Sequence, residues 1–489
     1  MICLVNPRTT NWKPRVPLSV LSIGASLDGF YEYVIADGNL DGDLFSTLPA
    51  LVQERNLKYI GFSVMPGPQL TEAITLSKLL RRQFPSLKII WGGYFPSLHT
   101  DVTLSAPYVD FVVRDQGDYA FKRLIDKLEQ GGSLDDITGL SFKEGGIHHN
   151  AKQPLIDLNN LPALPYQKVD MPRYIGRTYL GTRTVNYHSS VGCPFLCGFC
   201  AVAVSYRARW MGLTPEAIVR DLLWFKGQFG VNAVEFHDNN FFTSEARVRE
   251  FSERVFGQDF SWWGEGRPDT LLQYDNRTWA LMRDAGCKMI FMGAESGSTH
   301  VLSLMDKGGT QTGETILDLA HKMQSYRIVP EFSFVLGSPT GTLEQDIEDD
   351  IRFIKKIKRI NPLSEIIIYV FSPVHFDEAE LYRAAVDNHF AYPAKLDDWL
   401  RPEWRRHDLK KNPVTPWLSR KNILRIRNFE KVLNARHPTL SDLKLDRTKR
   451  AVLRALGQWR YSLSVYSLPL EVALAQRIFR YRQPEKEGF

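Results

Sequence analysis

Short apolar runs alternate with helical patterns over the first 130 residues. Segments 2–5, 31–36, 59–64, 87–91 and 108–113 read as strands, and 17–27, 44–54, 70–84 and 119–128 as helices. Near-continuous apolar strands separated by helices predict a parallel sheet covered on both faces. Such a sheet takes its ligand beyond the carboxyl ends of the strands, at the switch point of the strand order. Those ends fall at 6–8, 37–38, 63–67, 92–96 and 115–118, and several carry Gly or Pro, which suit close approach of backbone to a ligand.

The pattern breaks at Gly131-Gly132 and Gly145-Gly146, and the prolines at 162 and 165 favour extended chain. A linker over 146–180 is expected. Six further strands are predicted at 184–190, 233–238, 261–267, 289–295, 331–337 and 365–371, with helices at 215–229, 246–256, 276–285, 313–326 and 343–359. Six βα units are too few for an eight-fold barrel and predict an open, partial one with its site at the strands' carboxyl ends. After about residue 385 only helical patterns remain. The expected fold class is α/β. It comprises a Rossmann-like domain (1–145), a linker (146–180), a partial (β/α)6 barrel (181–385) and a helical C-terminal domain (386–489).

Composition narrows the function classes. Hydrophobic residues make up 44% of the 489 and charged residues 24%, which excludes a disordered or fibrous chain. No apolar run reaches 18 residues, so no spanning helix is expected. The opening MICLVNPRTT lacks a basic stretch followed by an apolar one, so no secretory signal is expected. The net charge of +6 is too weak to imply nucleic acid. It is also unevenly placed: residues 401–489 hold 21 Lys and Arg against 8 Asp and Glu. That tail reads as a helical cap over the barrel mouth with a solvated basic face. Its sharper reading is an anionic partner, either a carboxylated or phosphorylated substrate or an anionic lipid surface, with peripheral membrane contact.

Five cysteines are too few and too odd for a disulfide framework. Cys3 and Cys287 read as small buried hydrophobes, and His237 as structural. Cys193, Cys197 and Cys200 lie just past the first strand of the second block. Thiolates so close repel unless a metal neutralises them. A structural zinc site wants four ligands, commonly as two CxxC pairs, and no second pair exists. A cubane iron–sulfur cluster normally takes four thiolates, so three leave one iron open to a small molecule. A cluster with an open iron is labile to oxygen, and on that ground a cytoplasmic setting is expected.

C-x3-C-x2-C after the first strand of a six-unit barrel resembles the radical SAM superfamily. The resemblance implies that Cys193, Cys197 and Cys200 hold a [4Fe–4S] cluster. S-adenosylmethionine then chelates the open iron and is cleaved to a 5′-deoxyadenosyl radical. It further implies Phe199 beside the adenine, and Glu235 and Asp238 (in Glu235–Asn240) near the amino group. Arg267 and Glu295 are implied at the third and fourth strand ends, and Gly337 in an adenine-side turn. The bland readings of the last two are a helix-cap carboxylate and a simple turn.

The first domain resembles the cobalamin-binding subclass of that superfamily. The carrying residues are Asn6-Pro7 with Arg15–Leu18, Gly92–Ser97, and Val113–Asp118; Phe95 stands where the subclass usually has His, and Asp115–Asp118 is a loose version of its last turn. The implied cobalamin neighbours are Trp12, Ser63, Met65, Gly92, Gly93 and Gly117. No His precedes His99, so no lower axial His is expected from the upstream loops. No G-x-G-x-x-G follows the first strand, which argues against a dinucleotide. The alternative is a domain that has lost cobalamin and only shapes the substrate site.

The resemblance implies a cobalamin-dependent enzyme that C-methylates an unactivated carbon of a hydrophobic or anionic small molecule. Tetrapyrroles and isoprenoid lipids are the substrate classes it brings forward, and flavodoxin or ferredoxin the reductant. A second expectation keeps the cofactors but oxidises and closes a ring, as in the anaerobic Mg-protoporphyrin monomethyl ester cyclase group. A third is a non-catalytic iron–sulfur carrier or sensor. The catalytic residues are unknown at this level.

Overall fold

The structure is a computed structural model that describes residues 1–9, 14–307 and 309–481. The first sheet runs β2-β1-β3-β4-β5-β6-β7. Its strands are β1 (Ile2–Asn6), β2 (Tyr33–Asp37), β3 (Tyr59–Ser63), β4 (Lys88–Gly92), β5 (Phe111–Val113), β6 (Leu140–Lys143) and β7 (Ile147–His149). β1 to β5 pair in parallel, with helices between them, and β1 is buried at every position. The order 2-1-3-4-5 puts its switch point between β1 and β3, so the crevice opens at 6–8 and 63–67.

Two features differ from the sequence expectation. β6 and β7 form an antiparallel hairpin on β5, so the first sheet continues past residue 145. Gly145-Gly146 is the turn of that hairpin rather than a break between domains. The following segment is also no loose tether. Tyr166, Met171 and Tyr174 are buried in the barrel's hydrophobic core, and the Tyr174 hydroxyl donates to Asp37 Oδ2 at 2.7 Å.

The second sheet is β15-β14-β13-β12-β11-β8, parallel throughout. Its strands are β8 (Thr184–Tyr187), β11 (Ala233–Phe236), β12 (Ser261–Gly266), β13 (Cys287–Glu295), β14 (Val329–Leu336) and β15 (Glu365–Val370). No pairing joins β8 to β15 among the described residues, which leaves the barrel open. Its helices carry their own boundary signals. Pro215–Phe229 starts at Thr214, whose side chain accepts from Ala217 N, has Pro215 in its first turn, and stops at Gly230 in the left-handed region. A short ribbon of β9 (Ser190–Gly192) and β10 (Trp210–Gly212) holds both ends of the intervening cysteine loop.

Beyond β15 the chain is helical, as expected, with long helices at Arg420–Arg436 and Arg447–Leu463. The tail joins both domains. Leu396 and Trp399 enter the first domain's core, and the Tyr108 hydroxyl donates to Asp397 at 2.6 Å. Arg425 pairs with Glu348 on a barrel helix at 2.7 Å. Among the described residues no helix is long and apolar enough to cross a membrane.

Candidate functional site

One cavity of about 2810 Å³ lies between the carboxyl ends of the two sheets. From the first domain it takes Asn6, Ser63, Met65, Gly92, Gly93 and Gly117; from the barrel Cys193, Cys197, Phe199, Cys200, Arg267 and Glu295. The tail adds Trp399, Trp404, His407 and Lys410. Of the residues expected from sequence, Glu235, Asp238 and Gly337 do not line it, and Trp12 lies outside the described residues.

The cysteine loop is built around N–H donors to sulfur. Asn240 Nδ2 donates to Cys193 Sγ at 3.7 Å and Arg267 Nη1 to Cys197 Sγ at 3.2 Å. Backbone N–H groups of Phe195 reach Cys193, and those of Val202 and Ala203 reach Cys200. Burial nevertheless raises Cys193, and burial with the neighbouring Cys197 charge pushes Cys200 up to about 11; Cys197 adds to the rise at Cys193 as well. Three mutually repelling thiols with donors already aimed at them suit a cationic metal group. Among the described residues no three His, Cys, Asp or Glu converge on one point as ligands of a single ion would. A cubane asks instead for three sulfurs that each face a different iron, and the loop fits that group. Cys3 and Cys287 are buried elsewhere; burial pushes Cys3 up to about 12 and Cys287 further.

Beside the cysteines stand two buried ion pairs. Arg267 pairs with Asp269 through two bonds, at 3.0 and 2.7 Å, and its guanidinium lies 3.7 Å from the Phe195 ring centre. Lys307 Nζ pairs with Glu295 at 3.1 Å and lies 5.7 Å from the Phe199 ring centre. Glu295 itself has φ +63°, and the β13–β14 register slips between Gly293 and Glu295. Such an irregularity re-aims a side chain at a strand end.

Asp238 has a different place from the one expected. It is fully buried and accepts from Ser189 N at 2.7 Å and from the Ser189 and Ser190 hydroxyls, each at 2.6 Å. It braces the turn that launches the cysteine loop, while Asn239 and Asn240 beside it face the cavity. Gly337 is covered by the tail: its carbonyl accepts from Trp417 Nε1 at 2.8 Å. Glu235 belongs to a polar cluster in the barrel interior. His237 lies 3.5 Å from Glu235 and 3.6 Å from Glu265. Burial and Arg15 pull the His237 pKa down, but the two carboxylates outweigh them and it stands above its ordinary value. The sequence did not single out Glu265 or Lys307, and it held Asn240 only as the end of the Glu235–Asn240 segment. Inward alternation along the barrel strands is the signal that could have found Glu265.

The first-domain wall is held by a buried amide–carboxylate network. Asn6 Nδ2 donates to Asp37 at 2.9 Å, and Gln69 Nε2 donates to Asn6 Oδ1 and to Pro7 O, each at 2.9 Å. Gly93 lies at φ +99°, and a Cβ there would sit 2.8 Å from Val64 O. Only glycine lets the β4 turn pass under the β3 end, and this leaves a patch of small residues at Ser63, Gly92 and Gly93, with Met65 and Tyr94 also lining the wall. A flat, bulky ligand fits that wall. His99 is packed among Phe95, Tyr392 and Trp399, with ring centres at 4.9, 4.7 and 5.4 Å; burial holds its pKa down at about 4.

Two family models match these two walls: the B12 binding domain over residues 15–125 and the Radical SAM superfamily over 187–354. The chain is a radical SAM enzyme with an N-terminal B12-binding domain, and its cofactors are a [4Fe–4S] cluster, S-adenosylmethionine and cobalamin. The electron-carrier alternative thereby loses its basis. An uncharacterized methyltransferase of Pyrococcus horikoshii is 27% identical over 367 residues, covering 73% of this chain and 78% of that protein. The anaerobic magnesium-protoporphyrin IX monomethyl ester cyclase of Synechocystis is 27% identical over 366 residues, covering 72% of this chain and 70% of that one. Among solved structures, the cobalamin-dependent S-adenosylmethionine radical enzyme OxsB, with aqua-cobalamin and S-adenosylmethionine bound, shares the fold. Its TM-score is 0.68 at 16% identity, over 98% of this chain and 75% of that one.

Proposed function

We propose that the enzyme methylates an unactivated carbon of a hydrophobic or anionic small molecule. The observation that carries this reading is the single cavity onto which the cysteine loop and the first domain's strand ends both open. The cluster with S-adenosylmethionine supplies a hydrogen-abstracting radical, and cobalamin a methyl group. In this reading Cys193, Cys197 and Cys200 are the cluster ligands. Phe199, Arg267 and Glu295 border S-adenosylmethionine; Glu235 and Asp238 act at one remove, through His237 and the Ser189 turn. Ser63, Met65, Gly92, Gly93 and Gly117 border the corrin. The protein's part is to hold three reactants in one enclosed space and keep water out.

The methyltransferase name of the Pyrococcus relative supports methyl transfer. The cyclase relative, equally identical, keeps oxidative ring closure as the second reading. Anaerobic turnover with flavodoxin or ferredoxin as reductant separates them. Methylation yields S-adenosylhomocysteine and 5′-deoxyadenosine together, with a product heavier by one methylene. Finding 5′-deoxyadenosine alone, with cobalamin and substrate present, would sink methylation.

The tail supports a hydrophobic substrate drawn from a membrane surface. Trp459, Leu463, Leu468, Leu470, Leu474 and Ile478 are all exposed on its last two helices and the turn between them. Apolar side chains with a basic flank suit an anionic bilayer. Vesicle co-sedimentation should fall when Leu470 and Leu474 are both changed to Ser.

A further inference from the structure

A second cavity lies at the opposite end of the barrel, where β15 begins and helices Leu343–Ile360 and Arg420–Arg436 end. It measures about 710 Å³. Its lining holds Lys355, Lys358, Arg359, Arg436, His437 and Arg454, with Glu365 as the one carboxylate. The floor is occupied: Lys358 is buried and donates to the Pro362 and Ser364 carbonyls at 2.6 and 2.5 Å. The guanidiniums are different. The tail's ion pairs run Lys78–Asp397, Arg401–Asp398, Lys410–Glu430, Arg425–Glu348, Lys449–Asp446 and Arg460–Glu471. Among the described residues none takes Arg359, Arg436 or Arg454. Their charge is felt inside the cleft. Burial, then Lys358, Arg436 and Arg454, lower the His437 pKa to about 3.

Helix C-termini account for part of this charge, since they favour cations. They do not account for three polar atoms of residues that line the cleft. Ser364 Oγ, Asn434 Nδ2 and Tyr461 Oη are buried without a hydrogen-bond partner. Buried polar groups are nearly always paired, so each orphan asks what completes it. All three can donate; Lys358 holds the Ser364 carbonyl, and Lys355 Nζ lies 4.9 Å from the Tyr461 ring centre. Donors and guanidiniums without acceptors are the complement of phosphate oxygens. The volume is that of a small-molecule pocket rather than a bare ion's.

We propose that this cleft binds a phosphate-bearing anion, at a site separate from the cluster cavity. Calorimetric titration of the full chain with sodium pyrophosphate tests it. We expect saturable one-site binding at least tenfold tighter than sulfate. The substitutions R436Q and R454Q together should weaken it tenfold or more. The pair K421Q and R447Q removes the same charge from the same two helices at positions that do not line the cleft, and should change it less than twofold. If the first pair unfolds, the rim variant R359Q should weaken binding at least threefold in its place. Absent binding at physiological salt, or equal loss in both pairs, overturns the proposal. Vesicles containing phosphatidylglycerol then identify the source. Release of bound pyrophosphate by such vesicles assigns a lipid headgroup, and retention assigns a soluble phosphate compound.

Discussion

Across the main cavity the barrel presents thiols and buried charges, and the first domain presents glycine turns at its strand ends. The barrel wall is made of thiols, two buried ion pairs and a histidine between carboxylates. The facing wall brings Ser63, Gly92, Gly93 and Gly117 to the cavity beside Met65 and Tyr94, and the network of Asn6, Asp37 and Gln69 stiffens it. On the proposed reading, the difference follows from what each wall would receive. A cluster is held by covalent ligands, and a polar cofactor by charges at fixed points. A corrin offers a broad face, so a patch of small residues in a stiff frame suffices. The two walls should therefore fail in different ways when altered.

The largest effect belongs to the thiols. Cys197→Ala should abolish cluster assembly, seen as loss of bound iron and sulfide after anaerobic reconstitution, and with it S-adenosylmethionine cleavage. Cobalamin uptake by the same protein should persist, because no residue of the facing wall is touched. Joint loss of both cofactors would break the comparison.

Next comes the charge pair behind the thiols. Arg267 and Asp269 are each about 5% exposed, so Arg267→Met strands a buried carboxylate. Breaking such a pair typically costs about 3–5 kcal/mol. Denaturant unfolding should show a loss of that order, and R267M/D269N should recover most of it. Lys307 and Thr310 also serve Asp269, so an intermediate recovery would measure their share.

These contrasts track what was legible in the sequence. Three thiols within eight residues are a local signal, and the barrel strands carry short apolar stretches interrupted by single polar residues and separated by helical patterns, so the cluster loop and the six-strand barrel could be read directly. The β6–β7 hairpin could not, because Ile147, His148 and His149 are exposed and show no apolar alternation. The interior cluster of Glu235, His237 and Glu265 spans two strands and gains meaning only when β11 and β12 lie side by side. Asp238 shows a subtler limit. The sequence places a carboxylate at a strand end, but not the serines that turn it inward. The glycine wall was legible as glycines; why position 93 excludes other residues depends on where Val64 comes to rest.

Gly93 offers the matching test on the first-domain wall. Gly93→Ala must bear both the φ +99° geometry and a clash with Val64, for about 3 kcal/mol of lost stability. Cobalamin retention should fall with it, read by visible absorption, while iron content stays unchanged. Gly67→Ala is the control. Its φ is +90°, but nothing lies within 4 Å of the added carbon, so its cost should be clearly smaller.

The smallest effect probes one group behind the barrel wall that is not offset by a cation. Asp350 accepts from Ser296 Oγ at 2.7 Å and Gly297 N at 2.8 Å, holding the turn just after Glu295. Burial dominates over those two bonds and pushes its pKa up to about 7, with Asp346 and Asp349 adding to the rise. The sign follows from linkage. Between about pH 4 and pH 7 the folded protein keeps a proton that the unfolded chain has released, so stability falls as pH rises through that window. Asp350→Asn keeps the acceptor and removes the titration. From pH 6 to pH 8 the variant should gain about 1.4 kcal/mol relative to the parent chain, and below pH 4 nothing further should change. A flat difference across that range would mean that Asp350 stays ionised. The barrel wall would then carry a compensating donor, and its charges would be paired throughout.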